Sequence, residues 1–431
     1  MSPVYRFLVA LSFLLCACGE HDSNDNAPPT TTTATTLKSL FELQPADFKE
    51  RRTLQVNGTA GQGLGSGVSV HAGEVLLITA SGTLQTPWGQ VGPDGSPALG
   101  GTSFQLINRR VFALYGRIHG NVFPVNYETA LIAPDTGPLE LLVNGCEDCA
   151  NSGNFTVDVY SQPVEGVALA ETPSVTDNTV TRSSTVQVTA TTGWALSGIQ
   201  VRKGQKLFVQ ATGTVEANGE TLTADGAEGW LAGEPYLVVN ATPHRLYGRV
   251  GGNVFELGTN AALLAPATGE LELVINHANE ATGGFDVTVG LGVVPARGLI
   301  GADTADFARA TAELRPAMEW TPTSLVLKKG DPLLVRATGQ LTGDDPDLFD
   351  KPLDAFGSSA LGGTSFLPSR FLFALYGRVG GQVVLLGAQN ALLAPADGTL
   401  ELAVNGFSDC TSACDVQGAF SVEVRGPSHP Q

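Results

Sequence analysis

The same domain-sized unit occurs three times in the chain, and this repetition limits its fold more than any other feature. FALYGRIHGNVF begins at Phe112 and FALYGRVGGQVV begins at Phe373, 261 residues later, with RLYGRVGGNVF between them from Arg245. ALIAPDTGPLELLVNG (130–145), ALLAPATGELELVINH (262–277) and ALLAPADGTLELAVNG (391–406) keep the same frame, and ALGGTSF recurs at 98–104 and 360–366. A period near about 130 residues is a domain, not a solenoid unit, so the expectation is three beads on a string. Their bounds are 46–161, 176–294 and 305–426, joined by 161–185 and 295–317.

Each unit reads as antiparallel β-structure. Strand pairs surround glycine turns in VSVHAGEVLLITASG, VRKGQKLFVQATG and LVLKKGDPLLVRATG. Each copy closes on strict alternation: Phe155, Val157, Val159; Phe285, Val287, Val289; Phe420, Val422, Val424. Apolar residues at every second position line one sheet face, and the polar residues between them meet water. The 52 glycines and 25 prolines suit short strands joined by tight turns. The expected fold class is all-β, three tandem jelly-roll-like β-sandwiches. Within the last linker, DTADFARATAEL (303–314) is read as a short helix.

The N-terminal MSPVYRFLVALSFLLCACGE has a positive start at Arg6 and an apolar core at 7–15, too short for a permanent span. Its end, Leu15-Cys16-Ala17-Cys18, resembles the bacterial lipobox. That resemblance implies a signal peptide at 1–17 and lipidation of Cys18, with an ordinary cleaved signal peptide as the alternative. Residues 18–45 begin with a polar, threonine-rich stretch and are read as a flexible tether. The expected location is the bacterial cell envelope: lipid-anchored, on the outer membrane's periplasmic or surface face, with no other membrane contact. A net charge of −18 argues against nucleic acid as a partner.

The order of motifs resembles the LecA (PA-IL) family of galactophilic lectin domains. In the first copy the corresponding stretches are VLLITASG (75–82), WGQVGPDG (88–95), ALYGRIHG (113–120), LIAPDTGPLELLVN (131–144) and NSGNFTVDV (151–159). The resemblance implies a jelly-roll-like sandwich and calcium-dependent galactoside binding. A hard cation takes several oxygen ligands and keeps positions open for sugar hydroxyls.

The chain departs from that pattern at the metal. The family's Asp position holds Gly145, His277 and Gly406, and its paired asparagines become Ala150-Asn151, Glu280-Ala281 and Asp415-Val416. A calcium site in copy one would draw on Glu147, Asp148 and Asn151; in copy three, on Asp409 and Asp415; in copy two, on Asn279 and Glu280. In the same loops, Cys146 pairs with Cys149 and Cys410 with Cys414 as disulfides, the normal fate of paired cysteines in an exported protein. Rival readings are a four-cysteine zinc site, which needs two distant loops to meet, and a redox CxxC, which lacks its βαβ setting.

Trp88 and Asp94 form the candidate sugar rim, with Asn144, Asp148 and Asn151 as further candidate ligand residues. Tyr115, Arg117 and their counterparts read as structural, and Trp194, Trp230 and Trp320 as packing residues. The six histidines are scattered and no catalytic motif appears, so the chain is read as a non-enzyme. The expected partner is a glycan. The alternative is a structural or protein-binding envelope role with another envelope protein as partner.

Overall fold

The computed structural model describes residues 35–430 apart from 59–62, 88, 97–99, 101–103, 147–148, 191–192, 228–231, 234, 239–240, 278–280, 300–305, 350, 359, 361–364, 369 and 408–415. Strands dominate, and among the described residues the helical turns are the 3-10 segments Leu40–Glu42 and Pro45–Asp47. In the first repeat, Ser152–Pro163 lies between Phe48–Asn57 and Val75–Thr86. The latter strand also pairs with Glu128–Ile132 and, at its far end, with Gly89–Val91. A second sheet runs Leu64–Val70, Gly137–Val143, Leu114–Ile118, Asn121–Pro124. Repeats two and three reuse this order apart from small edge strands, which gives six main sheets set in a ring.

The closing strands behave as their alternation dictates. Phe155, Val157, Phe285, Val287, Val289, Phe420 and Val424 are all 0% exposed, and each set sits in its own repeat's core. Burying one such side chain contributes roughly 1.5–3 kcal/mol. The glycine of the ASG and ATG motifs has a steric cause. At Gly82 and Gly213, φ is +98° and +104°, and a Cβ would lie 2.6 Å from the carbonyl oxygens of Asn154 and Gly284. A side chain there would force the neighbouring strand away.

The 303–314 segment is not helical where it is described. Ala308–Leu314 is a strand, antiparallel to Phe420–Gly426, with Ala308, Ala310, Ala312 and Leu314 turned to the third core. The alternation of ARATAEL and an open sheet edge outweigh alanine's helix propensity. The stretch assigned to the tether is also ordered near its end. Thr36–Lys38 pairs in parallel with Val167–Leu169, and Leu40 and Leu43 are buried with Phe48, Leu77, Ile132 and Tyr160. Those leucines give the segment an apolar face that a solvated linker lacks. Cys18, the residue expected to be lipidated, lies outside the described residues.

The repeats do not stand apart as beads, because residues 35–431 form one compact unit. Each repeat touches both others. Lys203 Nζ meets Glu128 Oε1 at 2.8 Å between the first and second. Lys329 Nζ donates to Val209 O at 2.7 Å between the second and third. Asn108 Nδ2 donates to Phe356 O at 2.6 Å, and the Arg109 guanidinium lies 4.1 Å from the Phe356 ring centroid, between the third and first.

At the second junction Lys206 is fully buried. Its Nζ donates to Asn178 Oδ1 at 2.6 Å and to Gly330 O at 3.0 Å. Asn178 Nδ2 in turn donates to Asp331 Oδ1 at 2.9 Å. Burial pulls the Lys206 amine down to about 8 from 10.5, opposed by Asp331 and Asp177.

Two predictions follow from these contacts. The folded protein holds fewer protons at Lys206 than the unfolded chain between pH 8 and 10.5, so this residue's contribution to stability rises across that window. Urea unfolding from pH 8 to 10.5 is expected to show that rise, and Lys206→Met to lack it. The second concerns Asn276, which is 0% exposed and bonded through its amide to Val238 N, Val238 O and Thr242 O. Asn276→Ala is expected to lower stability by roughly 1–3 kcal/mol, read as an earlier urea midpoint, because it orphans buried backbone groups.

Candidate functional site

The loop that leaves the strand Gly137–Val143 is organised by Asn144. Its side chain is fully buried, with Oδ1 accepting from Leu106 N at 2.7 Å and Nδ2 donating to Leu106 O, Arg109 O and Arg110 O at 2.9, 3.2 and 3.1 Å. Asn405 does the same for Leu367, Arg370 and Phe371. The carboxamide is therefore committed to the fold, and Asn144 has no polar group left for a ligand.

Beyond it, Cys146 and Cys149 are joined in a disulfide with Cα atoms 5.2 Å apart. The pair packs with Val91 against Phe104, Val111 and Phe112, so the loop is fastened to the strand Gly89–Val91. Asn151 N then donates to Cys149 O at 2.7 Å, and Asn151 Nδ2 to Gly58 O at 3.2 Å. Asn151 Oδ1 is buried and has no partner among the described residues. A buried acceptor left unpaired costs about 1–3 kcal/mol, and it suits an oxygen-seeking cation. Glu147 and Asp148, the other candidate ligands here, lie outside the described residues. So do Asp409, Cys410, Cys414 and Asp415 of the third repeat, and Asn279 and Glu280 of the second.

On the other side of Val91 stands Asp94. The turn around it needs Gly95 at φ +68°, since a Cβ there would strike Val111 O and Ala113 N. Leu114 N donates to Pro93 O at 2.9 Å and pins the turn to the central strand. Tyr127, 52% exposed, brings its hydroxyl to the Asp94 carboxylate above Gly92. Partial burial first, then Asp94, raise the phenol above its usual range.

The corresponding tie in repeat two is Asp225, which accepts from Thr259 N at 2.9 Å and Thr259 Oγ1 at 2.7 Å. Repeat three places Phe356 and Ala388 at these positions. At these equivalent positions, the aromatic ring beside a carboxylate belongs to the first repeat. Trp88, the expected rim tryptophan, lies outside the described residues. Sequence reasoning passed over Tyr127. Its signal was an aromatic residue where the sister copies carry Thr259 and Ala388.

The recurring Tyr and Arg residues hold the fold, as expected. Tyr247 and Tyr376 accept from Thr242 N and Phe371 N at 2.9 Å. Arg117, Arg249 and Arg378 pair across strands with Glu140, Glu272 and Glu401. Trp194 and Trp320 pack under the Arg249 and Arg378 guanidiniums at 4.3 and 4.7 Å; Trp230 lies outside the described residues.

The second repeat carries an anomaly. His244 occupies the left-handed position (φ 58°) held by Phe112 (59°) and Phe373 (61°) in the other copies. It is 3% exposed, its ring meets Tyr236 edge-on at 5.8 Å between centroids, and neither ring nitrogen has a partner among the described residues. Burial, then His277, lower its pKa below 6.5.

No family model and no curated protein sequence matches the chain. Among solved structures it is similar to the EclA N-terminal domain, a PllA-like lectin. The two are 24% identical over 27% of this chain and 99% of that one, with a TM-score of 0.22. A triple jelly roll from the turret assembly of an archaeal virus is 8% identical over 92% of this chain and 98% of its own, with a TM-score of 0.17. A Sulfolobus turreted icosahedral virus chain is 8% identical over 93% and 100%, with a TM-score of 0.18.

His244→Phe installs the residue that the sister repeats use at this position. It is expected to stabilise the fold by roughly 1–3 kcal/mol, because it removes an unpaired buried imidazole. The lowered pKa means that the unfolded chain takes up the proton first as pH falls through 6.5, so His244 costs stability on the acid side. Urea midpoints measured on both sides of pH 6.5 should diverge less in the variant than in the parent.

Proposed function

We propose that the chain is a non-catalytic, lipid-anchored envelope protein that binds a galactoside-type glycan at the rim of its first repeat, with each sheet pair forming a jelly-roll-like sandwich. The observation that carries the reading is the exposed Tyr127 ring joined to Asp94. A pyranose has an apolar face that an aromatic ring can cover, and hydroxyls around it that a carboxylate can accept. The fastened turn under Gly95 and the disulfide against Val91 hold both sides of this rim before a ligand arrives, which lowers the ordering cost of binding.

The residues present fit a calcium ion in part. Asn151 Oδ1 is a buried oxygen with no partner among the described residues, and Glu147 and Asp148 stand within four positions of it in the sequence. Asn144 does not belong to that set. A bound calcium would supply a Lewis-acidic centre for two sugar hydroxyls, while Asn151 and the loop carboxylates would hold it. A second reading, a structural or protein-binding role in the envelope, draws support from the contacts that tie every repeat to both others.

A glycan array probed with the protein from Gly19 onward, with calcium and with EDTA, tests the choice. Galactoside binding is expected, and Tyr127→Ala is expected to weaken it by about tenfold, or roughly 1.4 kcal/mol. Loss of binding in EDTA would assign the main contribution to the Asn151 loop. Binding that persists in EDTA would assign it to the Tyr127–Asp94 rim. A blank array in both conditions overturns the lectin reading and favours the structural one.

A further inference from the structure

The chain carries 42 acidic side chains against 24 basic ones, yet one cleft reverses that balance. It opens between the first and third repeats and has a volume of about 670 Å³, within the roughly 300–1,000 Å³ typical of small-molecule sites. One wall is the hairpin strand Asn121–Pro124 of the first repeat. The other is the sheet of the third repeat, which presents Arg336 and Arg425 around a single carboxylate, Glu423.

Glu423 is already engaged. Its Oε1 holds Arg425 Nε at 2.6 Å, and its Oε2 meets the guanidinium of Arg309. Arg336 stands directly across the strand pair from Glu423, and it has no ion pair or hydrogen bond among the described residues. Arg109, fixed over Phe356 and against Gln389 O at 3.4 Å, adds a third guanidinium to the lining.

The full set of arginines on these strands is particular to the third repeat. Where the third repeat has Arg309, Arg336 and Arg425, the second has Ser183, Gln210 and Gly290, and the first has Arg51, Thr79 and Tyr160. The smaller cavity between the second and third repeats, about 340 Å³, is lined by Arg245 and Arg370, and there Glu256 Oε2 lies 3.5 Å from Arg245 Nη2.

We propose that the cleft between the first and third repeats binds a small acidic saccharide, held through its carboxylates by Arg336 and Arg425. Guanidiniums present paired donors that match a carboxylate. Gln389, Asn390 and Asn121 line the same cleft and bring neutral amides suited to hydroxyl groups. Phe123, the aromatic residue of the lining, is 4% exposed and leaves no open ring on which a nucleobase could stack. Screening over about 8 Å at physiological salt lets this local patch attract a small anion, while the net charge of the whole chain repels long polyanions. The site is separate from the Tyr127 rim and does not depend on it.

The test is calorimetric titration of the protein from Gly19 onward with a galacturonic acid trimer and with its fully methyl-esterified form. The acid is expected to bind at least about tenfold more tightly than the ester, and to weaken as sodium chloride is raised. Arg336→Gln combined with Arg425→Gln is expected to reduce binding of the acid by about tenfold or more. The first of these substitutions installs the residue that the second repeat carries, so the strand has a precedent for it. Tyr127→Ala is expected to leave this binding unchanged, so failure here and failure of the rim can be told apart. Equal binding of acid and ester, or unchanged binding by the double variant, overturns the proposal. Displacement of the trimer by an equal concentration of inorganic phosphate overturns the saccharide part of it.

Discussion

The rim of each repeat depends on one buried carboxamide. Asn144, Asn276 and Asn405 stand where the aliphatic strand ends, and each spends its amide on the backbone of the loop that crosses above it. Without that amide, several peptide groups would be sealed from water with no partner, at a cost that is a sizeable part of a domain's margin of stability. With it, the crossing loop is fixed, and whatever the next residues carry is presented from a fixed base. The three copies use that base differently: a disulfide loop with Asn151 in the first, the His244 pocket in the second, and the Phe373 cluster with Phe349 and Phe407 in the third. The amide keeps the fold constant, and the residues after it are free to diverge.

The second organising contact is between repeats. Lys203 and Lys329 occupy the same turn in successive copies, and each reaches back to the copy before it. The first copy has Ala72 there and meets the third through Asn108 and Arg109 instead. Buried and half-buried cations at these junctions make the joints specific, because a carbonyl or carboxylate must stand where each ammonium arrives. Apolar packing joins the repeats as well: Ile107 of the first packs against the third repeat's core, and the Phe208 ring of the second lies against Gly330 of the third.

Much of this was legible in the sequence, and the reason is physical. Strand alternation depends only on local periodicity, so Phe155, Val157 and Val159 could be assigned to a core without any knowledge of their neighbours. The Cys146–Cys149 pairing is equally local. What failed was whatever depended on distant partners. Asn144 reads as a ligand in sequence because its commitment to Leu106 and Arg110 is a tertiary fact. ARATAEL reads as a helix until the edge offered by Phe420–Gly426 is known. Leu40 and Leu43 look like part of a linker because the surface that buries them comes from Leu77, Ile132 and Tyr160. Tyr127 was overlooked because its meaning comes from Asp94, more than thirty positions away. The joining of the repeats rests on side chains such as Lys206 and Asn108, whose roles no periodicity signals.

The strand Thr36–Lys38 has a mechanical consequence. It pairs in parallel with Val167–Leu169, and the residues that follow it are wedged in place by Leu40 and Leu43. Leu40 N also donates to Ala296 O at 2.6 Å, beyond the second repeat's closing strand. If the protein is held by its N-terminus, tension enters the ring along this short strand. The load then runs lengthwise, so its hydrogen bonds must yield together rather than unzip one at a time. Residues 36–43 thus act as a cleat, which spreads a pull across two repeats before any sheet core is strained.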